Sequence, residues 1–510
     1  MDLFTFKIVH ALLILLPVIS GSILVDAYPR LSRVLRITGF TVPTILLLTT
    51  GYPMIDYQLA LALLTSVIAI GVSIHSEGYY KVIYGLSRYF QLVVDLVLAT
   101  LLLLFSSSFL IELIIYWFFL DIIVAFIAIT MEHGTENLPV ASTYIAMCIA
   151  PSDIALLTMW AMLAVRYGLF NSLLTPLNTL PSERINLDLI TSMIILFGFA
   201  VKLGQFPLHS WLPIVHGKAP SHISALLSGL IIKMGAYAFF LSSQMFTFNP
   251  IAFYILLAQG LISTIYGSFG AIIQTNIKWI LAYSSIGYGG IITTLYSTLM
   301  ILGMNTLRPI IIAVIVFHAL TKALAFTNTG LIYQISNTYD IYKLGYLYYV
   351  SREGALSAYV ALLNMTGIPP SAGFIVKILL ITISVLLSME NPLGLPLTVA
   401  IVLSAIFSIA YSAKFIGAYL STLPRISPRA IPIPKMELAA ELYMSFASLL
   451  APAVLMIYML NLFTYGQAVV AVTLPIYIAS LVTSIIVFTH ILREPRMPED
   501  IKYWLSGVDG

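Results

Sequence analysis

A single cysteine, Cys148, stands in 510 residues, so the chain can close no internal disulfide and offer no thiolate set to an iron–sulfur cluster. No CxxCH segment could attach a haem, and neither a GxGxxG nor a GxxxxGKS/T loop is present to cradle a phosphate. No cofactor is therefore expected; if the protein serves redox energy conversion, the electrons run elsewhere. Charge is scarce as well. Asp, Glu, Lys and Arg make up 9% of the chain, with a formal net charge of +3, which excludes an ordinary soluble domain and gives nucleic acid no basic surface to bind.

What the chain has instead is apolar length. Hydrophobic residues make up 60% of it and the mean hydropathy is +1.01. Long unbroken runs select helices over a barrel, because hydrocarbon requires each span to satisfy its own backbone. The expected fold is all-α: a polytopic membrane protein of about fifteen transmembrane helices, fourteen being the alternative. The first apolar run lacks a basic leader and a small-residue cleavage pattern, and reads as span one rather than a signal peptide. The third span is read as 57–75 and the fifteenth as 468–492, and basic residues, Arg36 and Lys278 among them, crowd the odd-numbered connections and the tail, while Lys7, Arg166, Arg184 and Arg308 fall on the other side. The positive-inside rule then puts the N-terminus outside and the C-terminus in the cytoplasm, in a cell (plasma) membrane.

Two long segments carry prolines in their middles, at Pro207 and at Pro369–Pro370. Proline removes a backbone donor and breaks the helix, leaving carbonyls that need another partner. Each broken segment is the fourth of five consecutive spans. Five is odd, so the second set must be inverted relative to the first, an arrangement used by secondary transporters. The expected divisions are 1–88 (helices 1–3), 89–244 (first inverted repeat, helices 4–8), 249–421 (second inverted repeat, helices 9–13) and 437–510 (C-terminal helices and tail).

Lys202, Lys233, Lys322, Lys377 and Lys414 all fall inside spans. Left unpaired, five such cations would cost roughly 12–17 kcal/mol, comparable to a whole protein's net stability. An intramembrane ionisable residue therefore reads first as part of an ion or proton pathway. Asp121, alone among apolar neighbours in span 5, is the natural partner of Lys202, either as a switch or as a static ion pair. His318 and Lys322, four residues apart, share a helix face with exchangeable protons, and Lys233 and Lys377 extend the series. Lys414, near the end of span 13, can instead snorkel to the interface. Asp153 follows Pro151 and Ser152 and fits helix capping and ion handling equally. His209, just past Pro207, is placed to contact the broken backbone, and His222 opens span 8 as a candidate or an interfacial residue.

Five segments in order, GFAVKLGQFPLHSWLP (198–213), APSHISALLSGLIIKMGAY (219–237), NIKWILAYSSIG (276–287), HALTKALAF (318–326) and GIPPSAGFIVK (367–377), resemble the proton-translocating antiporter-like subunits. That family is shared by NADH-quinone oxidoreductase, multisubunit cation/proton antiporters and membrane-bound hydrogenases. The resemblance implies two inverted half-channels, with Asp121 where the family usually has glutamate, Lys202 paired to it and Lys233 as the bridging lysine. It further implies His318 and Lys322 as the central pair, Lys377 as the terminal lysine, and Asp153 as an aspartate some members carry. Three departures stand out: aspartate at 121, WLPIVH for the usual WLPDAH, and Trp279 for an arginine after Lys278. His222 is more like the hydrogenase-type members.

The implied function is a proton-translocating subunit, without a catalytic redox site of its own, in a membrane-bound hydrogenase-like or sulfur-reductase complex. Its partners would be other membrane subunits, of antiporter-like and hydrogenase-like modules, and the lipid bilayer; the coupled ion is the proton, or sodium. The competing functions are a subunit of a sodium/proton antiporter or of an NADH-quinone oxidoreductase-type complex, a quinone-binding redox enzyme, and a structural scaffold, the last leaving the buried lysines without a purpose.

Overall fold

The computed structural model describes residues 3–50, 54–85, 87–177, 183–345, 347–420 and 433–460, with helical positions between 474 and 489. The chain enters as α1 (Leu3–Ile23), α2 (Pro29–Thr49), α3 (Asp56–Tyr84) and α4 (Arg88–Phe105). Next come α5 (Leu110–Ala128) and α6 (Gly134–Tyr167), then a helix in two halves, α7a (Leu189–Lys202) and α7b (Trp211–Lys218). The second part holds α8 (Ser221–Met245), α9 (Pro250–Ile273), α10 (Ile277–Leu302) and α11 (Leu307–Ser336). Another divided helix follows, α12a (Arg352–Thr366) and α12b (Ala372–Glu390), before α13 (Gly394–Leu420) and α14 (Lys435–Leu460). The strands among the described residues are a two-residue parallel pair, Ile185–Asn186 against Phe246–Thr247.

Twelve helices among the described residues are long and apolar enough to cross a membrane; the halves of α7, α12a and α14 are outside that count. The expected fifteenth span, 468–492, falls largely on residues outside the described set. Burial sorts the helices. Within a membrane-length window, α8 is 100% buried, α11 94% and α10 83%, against 33% for α1 and α6. Helices apolar all round belong in the middle of a bundle, so α8, α10 and α11 form the centre, and it is these helices that carry Lys233, His318 and Lys322.

Both proline segments are broken as the sequence predicts. α7a ends at Lys202, and the chain passes through Gly204, at φ 74°, before Pro207. The freed backbone is satisfied by neutral protein groups: Gln259 Nε2 donates to Phe206 O (2.7 Å), Ser263 Oγ accepts from Phe206 N (3.0 Å), and Trp211 Nε1 donates to Val201 O (3.2 Å). In the second break Gly367, at φ 75°, ends α12a, and Ser371 restarts the chain by accepting from Phe374 N. A left-handed φ at a helix end suits glycine, which has no Cβ to clash.

Three wide π turns interrupt regular helix, at Ile123–Ala128 in α5, Ile145–Ile149 in α6 and Leu227–Ile231 in α8. The first begins two residues after Asp121, and the third ends two residues before Lys233. Such turns add a residue to one coil of the helix and recur at functional sites.

Two expectations about depth need correction. The third helix continues to Tyr84 rather than ending near residue 75, so at 29 residues it is about 43 Å long. Arg36 and Lys278, expected in cytoplasmic connections, are each 1% exposed. Arg36 turns inward because Glu77, on the extension of α3, pairs with it, and Asp95 lies 3.7 Å from its Nη1. Arg33 grips the same Glu77 from the outer side at 2.6 Å.

Candidate functional site

Asp121 and Lys202 meet in the first broken unit. The Lys202 amine donates to both carboxylate oxygens, at 2.5 and 2.7 Å, with both side chains buried. Tyr144 OH donates to Asp121 Oδ1 at 3.4 Å, and the ammonium lies over the rings of Trp117 and Tyr144. A short, desolvated pair of this kind is strongly held, and removing either partner strands the other charge. Asp153 joins this group: Trp117 Nε1 donates to its Oδ1 at 3.1 Å, and it lies within electrostatic reach of Lys202. It sits in the first turn of the α6 segment that begins at Ala150.

In the centre of the bundle His318 and Lys322 lie one turn apart on α11 and take different partners. His318 Nδ1 contacts Lys233 Nζ at 2.5 Å, between α11 and α8. An N–H···N bond needs one nitrogen to accept, so this contact requires a lone pair on lysine or histidine and cannot form between two fully protonated partners. Lys322, one turn along, donates to Leu281 O (3.0 Å) and to Ser284 Oγ on α10. At the second break Lys377 of α12b donates to Met365 O (2.7 Å) and Thr366 O (2.9 Å), the terminal carbonyls of α12a, and to Ser408 Oγ. Those carbonyls are the negative end of a helix, a natural seat for a cation.

The remaining candidates lie apart from these contacts. His209 sits in the turn between the halves of α7, its ring stacked on Phe206 and edge-on to Tyr266, with Nδ1 unpartnered. His222 is fully buried, with Nε2 bonded to Tyr80 OH and its ring edge-on to Tyr79. Lys414 spans from α13 to the end of α9, where its amine donates to Ile272 O and, at 3.2 Å, to Gln274 O. It caps a helix end and touches no other ionisable candidate.

Three residues outside the sequence-based candidates belong to the same buried system. Lys278 Nζ donates to Ala219 O at 2.5 Å and lies 4.4 Å from the Tyr339 ring centre. Glu132, in the turn between α5 and α6, faces it; burial pushes the Glu132 carboxyl up to about 7, against the pull of the Lys278 ammonium and a Tyr79 hydrogen bond. His216 is fully buried and stacked on Phe326, both ring nitrogens unpartnered, with Lys278 and Lys322 within electrostatic reach. The histidine of WLPIVH was the available signal for His216, but the motif alone does not show that its neighbours are cations. A cavity of about 560 Å³, lined by Arg184 and Arg308, opens at Leu299–Asn305 and includes none of these residues.

Compared with known proteins, residues 111–405 match the family described as NADH:quinone oxidoreductase/Mrp antiporter, TM. Hydrogenase-4 component B of Escherichia coli (strain K12) is 36% identical over 193 residues, 35% of this chain and 28% of that protein. Across the first three relatives matched, the aligned stretch spans only 23% to 42% of the relative's own length. Two solved structures share the fold. The membrane-bound sulfane sulfur reductase, an archaeal respiratory membrane complex, gives a TM-score of 0.69 at 19% identity over 87% of this chain and 76% of that one. The Mrp complex of Dietzia sp. DQ12-45-1b gives 0.72 at 18% identity over 99% and 59%.

Proposed function

Because the chain belongs to the NADH:quinone oxidoreductase/Mrp antiporter membrane family, we propose that it is the proton-translocating subunit of a larger energy-converting membrane complex of the hydrogenase or sulfur-reductase type. The observation that carries the reading is the Asp121–Lys202 pair, a buried ion pair at 2.5 Å whose lysine is the last helical residue before a break. Such a pair can open and close as the break shifts, and separating it changes how firmly Lys202 holds its proton. The Lys233–His318 contact, Lys322 and Lys377 then supply successive acceptors, with Asp153 beside the first pair. Spans 4–8 (89–244) and 9–13 (249–421) act as two inverted half-channels among fifteen spans, the N-terminus outside and the C-terminus cytoplasmic in the plasma membrane.

Neighbouring subunits supply the energy, and this chain moves the ion. The two solved neighbours are multisubunit complexes, which supports a partnered setting. The test is ion flux in sealed vesicles carrying the assembled complex, with sodium varied. Lys202→Met, similar in length and uncharged, is expected to assemble and to abolish translocation; wild-type flux from that variant would sink the relay. Flux that requires sodium at fixed pH would move the assignment to a cation/proton antiporter subunit.

A further inference from the structure

Where α3, α11 and α14 meet, His75, Glu437 and Glu441 lie together at 1%, 0% and 0% exposure. Glu437 and Glu441, four residues apart on α14, share one face of the helix. His75 Nε2 lies 3.3 Å from Glu441 Oε1 and 3.5 Å from Glu437 Oε1, contacts too long or too bent for full hydrogen bonds, and neither ring nitrogen has another partner. Each carboxylate receives one neutral amide: Gln334 Nε2 donates to Glu437 Oε1 at 2.8 Å, and Asn328 Nδ2 to Glu441 Oε2 at 3.2 Å. Glu437 Oε2 and Glu441 Oε1 remain unpartnered.

The charge count is the anomaly. Among the described residues, His75 is the sole cationic partner within 4.0 Å of either glutamate. The nearby arginines Arg33 and Arg36 are already committed to Glu77 and Asp95. The other groups facing the three are Tyr79 of α3, His222 of α8, whose Nε2 meets the Tyr80 hydroxyl, the Gly354 carbonyl beside Asn328, and Tyr419 of α13, whose hydroxyl donates to Asn328 Oδ1. Two carboxylates and one imidazole in an apolar interior reach neutrality with two added protons; with His75 Nε2 within 3.5 Å of both carboxylates, one proton makes the imidazolium that faces them and the other resides on either carboxyl.

We propose that His75, Glu437 and Glu441 form a proton-storage site that holds and exchanges one proton between its two carboxyls. The exchanged species is the proton alone, with no electron or second reactant. Asn328 links the site to α11, six residues beyond Lys322 on the same helix. The C-terminal helix α14 is thereby part of the ion-handling machinery rather than packing around it.

The test is infrared difference spectroscopy of the full chain in lipid bilayers at neutral pH, reading the protonated-carboxyl stretch. Glu437→Gln and Glu441→Gln are each expected to lose the intensity of one protonated carboxyl, because the remaining carboxylate pairs with the imidazolium. The double variant is expected to lose that same single carboxyl. His75→Asn acts in the opposite direction and should add one, since both glutamates must then be neutral; this gain of signal separates the idea from simple misfolding. No loss in either single variant, a two-carboxyl loss in the double variant, or a band removed by sodium at fixed pH would each overturn the proposal. Transport is not the readout, so a failed relay and a failed storage site give different results.

Discussion

The two broken helices carry their lysines on opposite sides of the break and compensate them in different ways. Lys202 ends α7a, ahead of its break, and its amine is taken up by a full carboxylate, while glutamine, serine and tryptophan satisfy the freed backbone. Lys377 lies within α12b, beyond its break, and its amine is itself the partner of the freed carbonyls, together with a serine hydroxyl. One charge is balanced by an anion, the other by dipoles. The first unit therefore keeps its charge on a side-chain pair separate from the break, whereas in the second the charge and the integrity of the break are the same contact.

The largest effect should come from Asp121→Asn, which keeps volume and strands the Lys202 charge. Flux in sealed vesicles should fall at least about tenfold, an effect of ~1.4 kcal/mol or more. Thermal unfolding should register a loss of about 3–5 kcal/mol from breaking a buried pair. Asp121→Glu should retain flux; normal flux from asparagine would reduce the pair to a packing contact. Lys377→Met should cut flux comparably but cost less stability, about 1–3 kcal/mol, because what it abandons is carbonyls rather than an opposite charge. The reverse ordering of the two stability losses would break the comparison. Ser408→Asp would sharpen it by giving Lys377 an anion of its own; flux should slow several-fold with the fold retained, and an unchanged rate would mean that the kind of counter-charge is immaterial. Smallest of all, Lys414→Leu should leave flux within about twofold of wild type, since a side chain capping a helix end contributes anchoring rather than an exchangeable proton.

Much of this was legible in the sequence. Pro207 and Pro369–Pro370 marked both breaks, and Asp121 stood alone in its span with Lys202 as the natural counter-charge, because in hydrocarbon an isolated ion has few ways to persist. What the sequence hid was partnership across the bundle and depth at helix ends. His318 and Lys322 share a face by spacing, yet the histidine bonds Lys233 on another helix, and no periodicity along one chain segment encodes that choice. Arg36 and Lys278 counted as loop charges because the count treats every helix end as wet. Here the overlong α3 brings Glu77 to Arg36, and Tyr339 roofs Lys278. Glu437 and Glu441 lay at the start of a helix, where acids are ordinary, and only the packing of α3 against them makes them unusual.

The wide turn at Leu227–Ile231 divides α8 into two portions with separate aims: upstream His222 reaches Tyr80, downstream Lys233 reaches His318. Each residue of regular helix advances the azimuth by about 100°, so a helix closed up by one residue would have to give up one of those two bearings. The extra residue works as an angular offset between the ends of α8. A single deletion there would leave the composition of the helix nearly unchanged while swinging one end away from its partner, and the same length constraint holds beside Asp121 in α5. At these places the chain is tuned by its residue count as much as by its residue types.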